Sequence, residues 1–296
     1  MAGASAALVA LAAMCWGLSG GIAGMLIADG WNPLVVSFFR GAIGFVLFFA
    51  WLLIRRDYTG LGDSRLWFWS VLAGLGVSGN FAFYFISIAY SGVAVAVTLM
   101  YSAPVIVYLV SFALRLEQPS PIKLMAIASV MLGILLLTQV YESGRDGIAL
   151  PGIATGLLAG LSYAVFIFSF QYAAPRGNPR AVLTIAFAMV ALSLVWPAGT
   201  DLSLAMLDGK ALPSLLLLGV LGSGLSFFFF VIALKHITPT VAAVLAMVEP
   251  VTASLFGLLV LDENLTTPQV VGMALILFTV TALVIHSRTR PLKDGG

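Results

Sequence analysis

The sequence predicts an all-α polytopic membrane protein: ten transmembrane helices in two inverted five-helix repeats, with the N- and C-termini cytoplasmic. Three observations carry that expectation. Of 296 residues, 61% are hydrophobic and 9% charged, with a mean hydropathy of +1.10. A soluble domain carries roughly 25% charged residues, and one this apolar would present large sticky surfaces to water. The apolar residues fall in ten runs, each near the ~20 residues that cross hydrocarbon. The chain also matches itself at a single offset of 146 residues.

The runs lie at 4–28, 33–54, 66–88, 93–114, 121–138, 148–173, 179–199, 211–234, 239–260 and 267–286. They are read as helices because a lipid-exposed backbone must satisfy its own hydrogen bonds. A barrel would instead show segments of about ten residues with alternating polarity. The first run opens "MAGASAALVALAAMCWG". It lacks the basic start of a cleaved signal and is expected to be a retained span. Breakers part the runs: "DGWNP" (29–33), "YSG" (90–92), "EQPSP" (117–121), "PRGNP" (175–179), "HITP" (236–239) and "TTP" (266–268). Small residues cluster in "GLSGGIAGM" (17–25), "AGLGVSG" (73–79) and "GVLGSG" (219–224), where helices can approach closely. "GLSGG" is no phosphate loop, since it lacks the lysine and the strand–helix context. Spans 5 and 10 have almost no polar residues in their middles, which places them at the periphery, a candidate dimer contact.

Lysine and arginine set the orientation. With a cytoplasmic N-terminus, 11 of the 14 basic residues fall on inner loops and the tail. Only Arg145 and Lys210 fall outside, and Arg40 lies within a span. That bias supports the ten-span reading and the orientation, and a cytoplasmic N-terminus with no targeting peptide points to a bacterial inner membrane. The net charge of +2 gives no case for nucleic acid, because the basic tail is explained as a topology signal. The single cysteine, Cys15, allows no intrachain disulfide. His236 and His286 are too far apart in sequence to point to a metal. No cofactor is expected, and the titratable inventory is too poor for an enzyme.

At the offset of 146, Asn32-Pro33 falls on Asn178-Pro179, Gly76 on Gly222 and Phe81 on Phe227. Pro104-Val105 falls on Pro250-Val251, and Glu117 on Glu263. Residues 1–146 and 147–296 thus form two five-span halves of one membrane domain. Five is odd, so the second half enters the membrane from the opposite side. Inverted repeats of this kind are typical of secondary transporters, whose halves exchange conformations around a central site.

With ten spans in two halves, "VEPVTASLFGLLVLDENLT" (248–266) resembles the EamA-type branch of the drug/metabolite transporter superfamily. In that branch the ninth span reads Glu-Pro, a small and apolar stretch, then Gly-Glu at its exit. Glu249, Pro250 and Glu263 fit, whereas Asp262 stands where the glycine is usual. "YSAPVIVYLVSFALRLEQPS" (101–120), with Pro104 and Glu117, is its first-half counterpart. The resemblance covers nearly the whole chain and implies a transporter, with export of amino acids, aromatic ones included.

Arg40 and Glu249 are the two clear intramembrane charges, and such charges face a partner or a cavity. At ~1.5 Å rise per residue they lie within roughly 5 Å in depth, so an ion pair is expected, either structural or serving proton coupling. Pro104 and Pro250 each remove a backbone donor inside a span, from the carbonyls of Met100 and Ala246. Matched breaks in two halves point to a hinge or site. Trp16, Asn80, Tyr84, Tyr101, Ser102, Tyr163 and Phe227 are expected to line an aromatic-walled substrate pocket. Interhelical packing explains any one of them equally well. "SFFFF" (226–230) reads as lipid-facing or core packing.

The function expected is alternating-access export of small metabolites, amino acids foremost, with the lipid bilayer and a proton as further partners. The oligomeric state stays open. An antiporter for organophosphates or nucleotide-sugars would need several basic groups in the pocket, where only Arg40 is present. A lipid scramblase would need a polar groove open to lipid.

Overall fold

The computed structural model describes residues 2–142, 149–199 and 211–289. Its helices are α1 (Ala2–Ala28), α2 (Pro33–Arg55), α3 (Ser64–Met100), α4 (Ala103–Ala113), α5 (Pro121–Thr138) and α6 (Leu150–Ala173). They continue as α7 (Pro179–Ala198), α8 (Leu212–Gly219), a π segment (Val220–Leu225), α9 (Ser226–Ala233), α10 (Pro239–Leu245), α11 (Val248–Val260) and α12 (Thr267–Thr289). Arg145, Lys210 and the boundary between residues 146 and 147 lie outside the described residues, as do Arg290 and Lys293.

Nine stretches among the described residues are long and apolar enough to cross a membrane. The tenth span is hidden in the 37 residues of α3, which break at Gly92 with φ 77° and ψ 168°. A side chain there would be strained, and glycine is not. The chain reverses at this point. A Cβ added to Gly156 of α6 would meet both Ser87 and Leu99, so these lie side by side on the same helix. Residues 64–91 are therefore span 3, and residues 93–113 are span 4.

The sequence explains the repeated local structure. Asn32 caps α2 by accepting from Leu34 N at 2.8 Å, and Asn178 caps α7 by accepting from Arg180 N at 3.1 Å. Proline follows each cap at the first helical position, where no donor is needed. Spans 4 and 9 both break in the middle, at Tyr101-Ser102 and at Ala246-Met247, just ahead of Pro104 and Pro250. The Ala246 carbonyl finds a new donor, Glu249 N at 2.9 Å, so the chain tightens by one residue and leaves no orphan there. At the exits of these spans Arg115 and Asp262 adopt φ 55° and 53°. This left-handed turn accounts for a glycine being usual at the second position, and aspartate is among the residues that tolerate it.

Packing follows the pseudo-symmetry. Span 3 lies on span 6 and span 8 on span 1, while spans 2 and 7, 4 and 9, and 5 and 10 meet their own counterparts. Among α5 and α12, Gly133 and Gly272 bring the backbones together, and Ser129 and Thr279 share a 2.7 Å hydrogen bond. The sealed core holds Phe170, Phe187 and Phe230. Large apolar side chains stand on the outside, among them Leu259 at 76% and Phe278 at 74% exposure, as lipid contact requires.

Candidate functional site

Span 1 runs through the middle of the bundle. It touches α8, the π segment, α9, α10, α11 and α12. Gly17 permits this, because a Cβ there would collide with the Glu249 carbonyl and come within 2.6 Å of Thr252 Cβ. One residue earlier, Trp16 is 3% exposed and anchors a ring cluster. Its centroid lies 5.0 Å from Phe227, 5.1 Å from Phe230, 6.2 Å from Phe166 and 6.4 Å from Tyr163. The Trp16 indole N–H is buried with no hydrogen-bond partner among the described residues.

Glu249 stands in the first turn after the break in span 9, where Ala242 through Met247 are buried. The residue is nonetheless half-buried rather than sealed, and its carboxylate accepts a long hydrogen bond, 3.4 Å, from the Tyr163 hydroxyl. The Tyr101 phenol faces the same carboxylate from the break in span 4. Arg40, Phe81, Tyr84 and Ser102 are likewise half-buried in mid-span. Arg40 and Tyr84 lie within electrostatic reach of Glu249. These side chains, from spans 2, 3, 4, 6 and 9, converge inside the bundle, and the partial exposure of Arg40, Phe81, Tyr84, Ser102 and Glu249 marks a polar cleft among them.

The direct ion pair expected of Arg40 and Glu249 does not form. Among the described residues no salt bridge within 4.0 Å joins them. Arg40 instead donates from Nε and Nη2 to the Gly222 carbonyl, at 3.2 and 2.9 Å, and its guanidinium lies 4.8 Å over the Phe81 ring. The π segment supplies that acceptor. Ser226 N–H reaches back to Leu221 O, one residue further than in an α-helix, so Gly222 O loses its usual partner. A Cβ on Gly222 would come within 2.6 Å of Arg40 Nε and of Ser19 Oγ. Ser223 Oγ donates 2.8 Å to the Arg40 carbonyl, locking the two elements.

The other expected residues divide. Trp16, Tyr163 and Phe227 gather in the ring cluster, and Tyr84 and Tyr101 turn toward Glu249. Asn80 commits its amide to Ala159 O at 3.1 Å, an interhelical tie between α3 and α6. Ser102 donates 2.7 Å to Leu99 O and stabilises the break. "SFFFF" is core rather than lipid surface at Phe227 and Phe230, with Phe228 against Trp51 at 4.9 Å. Sequence reading had Gly17 and Ser19 only as members of the close-approach stretch 17–25, and it missed Phe166. It also missed the acceptor role of Gly222, which was marked only by its match to Gly76 and its place in "GVLGSG". A separate open cleft of about 600 Å³ lies at the α1–α2 turn, lined by Ile27, Asp29, Gly30, Trp31, Asn32 and Pro33. It is roughly 16 Å along α1 from Trp16.

Ten spans, two interleaved halves and a polar cleft at paired helix breaks define a multi-pass membrane transporter. The chain belongs to the EamA-like transporter family, whose profile matches residues 3–139 and 150–285. It is 26% identical over 291 residues to an uncharacterized transporter, YwfM, of Bacillus subtilis, covering 97% of this chain and 95% of that protein. It is also 26% identical over 204 residues to the threonine/homoserine exporter RhtA of Escherichia coli K12, covering 69% of this chain and 66% of the exporter. A solved crystal structure shares the fold with a TM-score of 0.73 at 20% identity, over 97% of this chain and 98% of the other. Its spans and relatives make it a multi-pass inner-membrane protein.

Proposed function

We propose that the protein is a secondary active transporter that exports small metabolites, amino acids including aromatic ones, by alternating access at the central cleft. The observation that carries this reading is the meeting of the bundle's interior base and acid, one from each half. Arg40 and Glu249 border one cleft with aromatic side chains, where span 9 breaks beside the matching break of span 4. Such breaks give each half a place to bend, and the cleft sits between them. The relatives named as exporters of threonine and homoserine support an amino-acid cargo.

In this reading both termini are cytoplasmic, the halves divide at residues 146 and 147, and Pro104 and Pro250 act as hinges. Trp16, Tyr84, Tyr101, Tyr163 and Phe227 form the pocket walls, while Asn80 and Ser102 support it from behind. Glu249 takes up and releases a proton during the cycle. The test is counterflow of labelled L-threonine and L-phenylalanine in liposomes holding the purified protein. Exchange above that of empty liposomes is the expected result. Liposomes that move labelled lipid but no amino acid would replace the exporter reading with a scramblase.

A further inference from the structure

We infer that the cleft is a receptor for a neutral zwitterion, an α-amino acid whose carboxylate sits on Arg40 and whose ammonium sits on Glu249. This rests on the reading of the chain as a metabolite exporter and names the chemistry its site selects. The two charges are of opposite sign and flank the same helix, Arg40 by Ser19 and Glu249 by Gly17, and among the described residues no salt bridge within 4.0 Å joins them. Among the described residues neither has a salt-bridge partner. Arg40 is held by the neutral Gly222 carbonyl and the Phe81 face, and Glu249 by two neutral phenols, Tyr163 at 3.4 Å and Tyr101. Unpaired charges inside a membrane protein are costly, so a ligand that completes both pairs at once is strongly favoured.

An α-amino acid carries its two opposite charges on atoms joined through one carbon, so a single small ligand can meet one base and one acid at once. A carboxylate offered to a guanidinium also gains two parallel hydrogen bonds. A lone amine or a lone acid would satisfy one side chain and strand the other. A phosphate ester would bring two negative charges to a site with one base. No further Asp, Glu, Lys or Arg lies mid-span, so a ligand with a charged side chain finds no third partner. The wall beyond Tyr163 is built of rings, with Phe166 at 4.5 Å and the unpartnered Trp16 N–H nearby. That wall accepts neutral side chains, aromatic or hydroxylated.

The test measures competition for labelled L-threonine and L-phenylalanine binding to the full chain. The competitors are phenylalanine, its methyl ester, which lacks the carboxylate, and N-acetylphenylalanine, which lacks the ammonium. In the wild type each blocked analogue should compete at least tenfold more weakly than the parent. In Arg40→Gln the gap between acid and ester should close, and in Glu249→Gln the gap between parent and N-acetyl compound should close. A wild-type gap under tenfold for either analogue overturns the clamp. Should a variant fail to fold, the wild-type comparison still decides. Amino acids that bind and move while the blocked analogues compete equally would sink the clamp and leave the exporter standing. If no amino acid binds or moves, both readings fall.

Discussion

Glu249 and Arg40 were legible as functional candidates because the bilayer makes a charge expensive, and a chain retains one only for a reason. Their partner was not legible. The group that holds Arg40 is the backbone carbonyl of Gly222, and a carbonyl has no letter of its own in the sequence. Asn80 misleads for the opposite cause. A polar letter in mid-span reads equally as pocket or as packing, and here the α3–α6 contact takes its amide. Glu249→Gln keeps the shape and removes the charge. Flux in liposomes should fall tenfold or more, and acceleration by a pH gradient should vanish. Full flux with unchanged pH dependence would end the role proposed for this carboxylate. Glycines on one helix give a second contrast. Gly17→Ala drives a methyl into the α11 backbone and should destabilise by about 1–3 kcal/mol. Gly20→Ala meets nothing within 4 Å and should leave the thermal midpoint unchanged.

At the scale of elements, run length and breakers located ten spans, since hydrocarbon thickness fixes how long each must be. The Asn-Pro caps fell where the sequence puts them because an N-cap is a local device, decided by neighbours two residues away. The π segment in span 8 was not legible. Its "GVLGSG" signals close packing, but the register shift is set by what Arg40 and Ser19 require of Gly222 from other helices. The prolines sit between these cases, as residues whose local effect is certain and whose purpose is tertiary. Pro250→Ala restores a donor for Ala246 O and lets span 9 run straight. The expected result is a thermal midpoint equal to or above wild type with transport reduced at least fivefold. Transport that survives with a straightened span would show that the break is packing alone.

At the scale of the molecule, polar links tie the two halves at both ends: Ser87 to the Gly152 carbonyl and Gln269 to the Leu137 carbonyl at one, and a cluster of charged links at the other, the end expected to face the cytoplasm. Asp57, after span 2, accepts from Thr59 Oγ1 at 2.6 Å and Thr59 N at 3.2 Å, from Arg180 Nη2 at 3.1 Å and from the Asn178 amide. Asn178 N also donates to Thr59 O at 3.1 Å. Glu117, after span 4, pairs with Lys123 and accepts from Thr240 N at 3.2 Å, at the start of span 9. The Thr59 hydroxyl first, then the other donors and Arg180, hold the Asp57 carboxyl below the usual carboxylate range. A lowered folded pKa stabilises above the unfolded value of about 3.9 and is lost as pH falls through the folded one. The difference in melting temperature between wild type and Asp57→Asn should therefore hold steady from pH 5 to about pH 8 and shrink only below about pH 4. A transporter must part these links to admit cargo from that side, so loosening them should favour opening. Cys15, the chain's single cysteine and buried at 7% exposure beside Trp16, reports on the centre of span 1. Asp57→Asn combined with Glu117→Gln should raise its rate of alkylation by N-ethylmaleimide at least threefold, and excess amino-acid cargo should slow it again. An unchanged rate would mean that apolar packing, not the polar links, keeps that end shut.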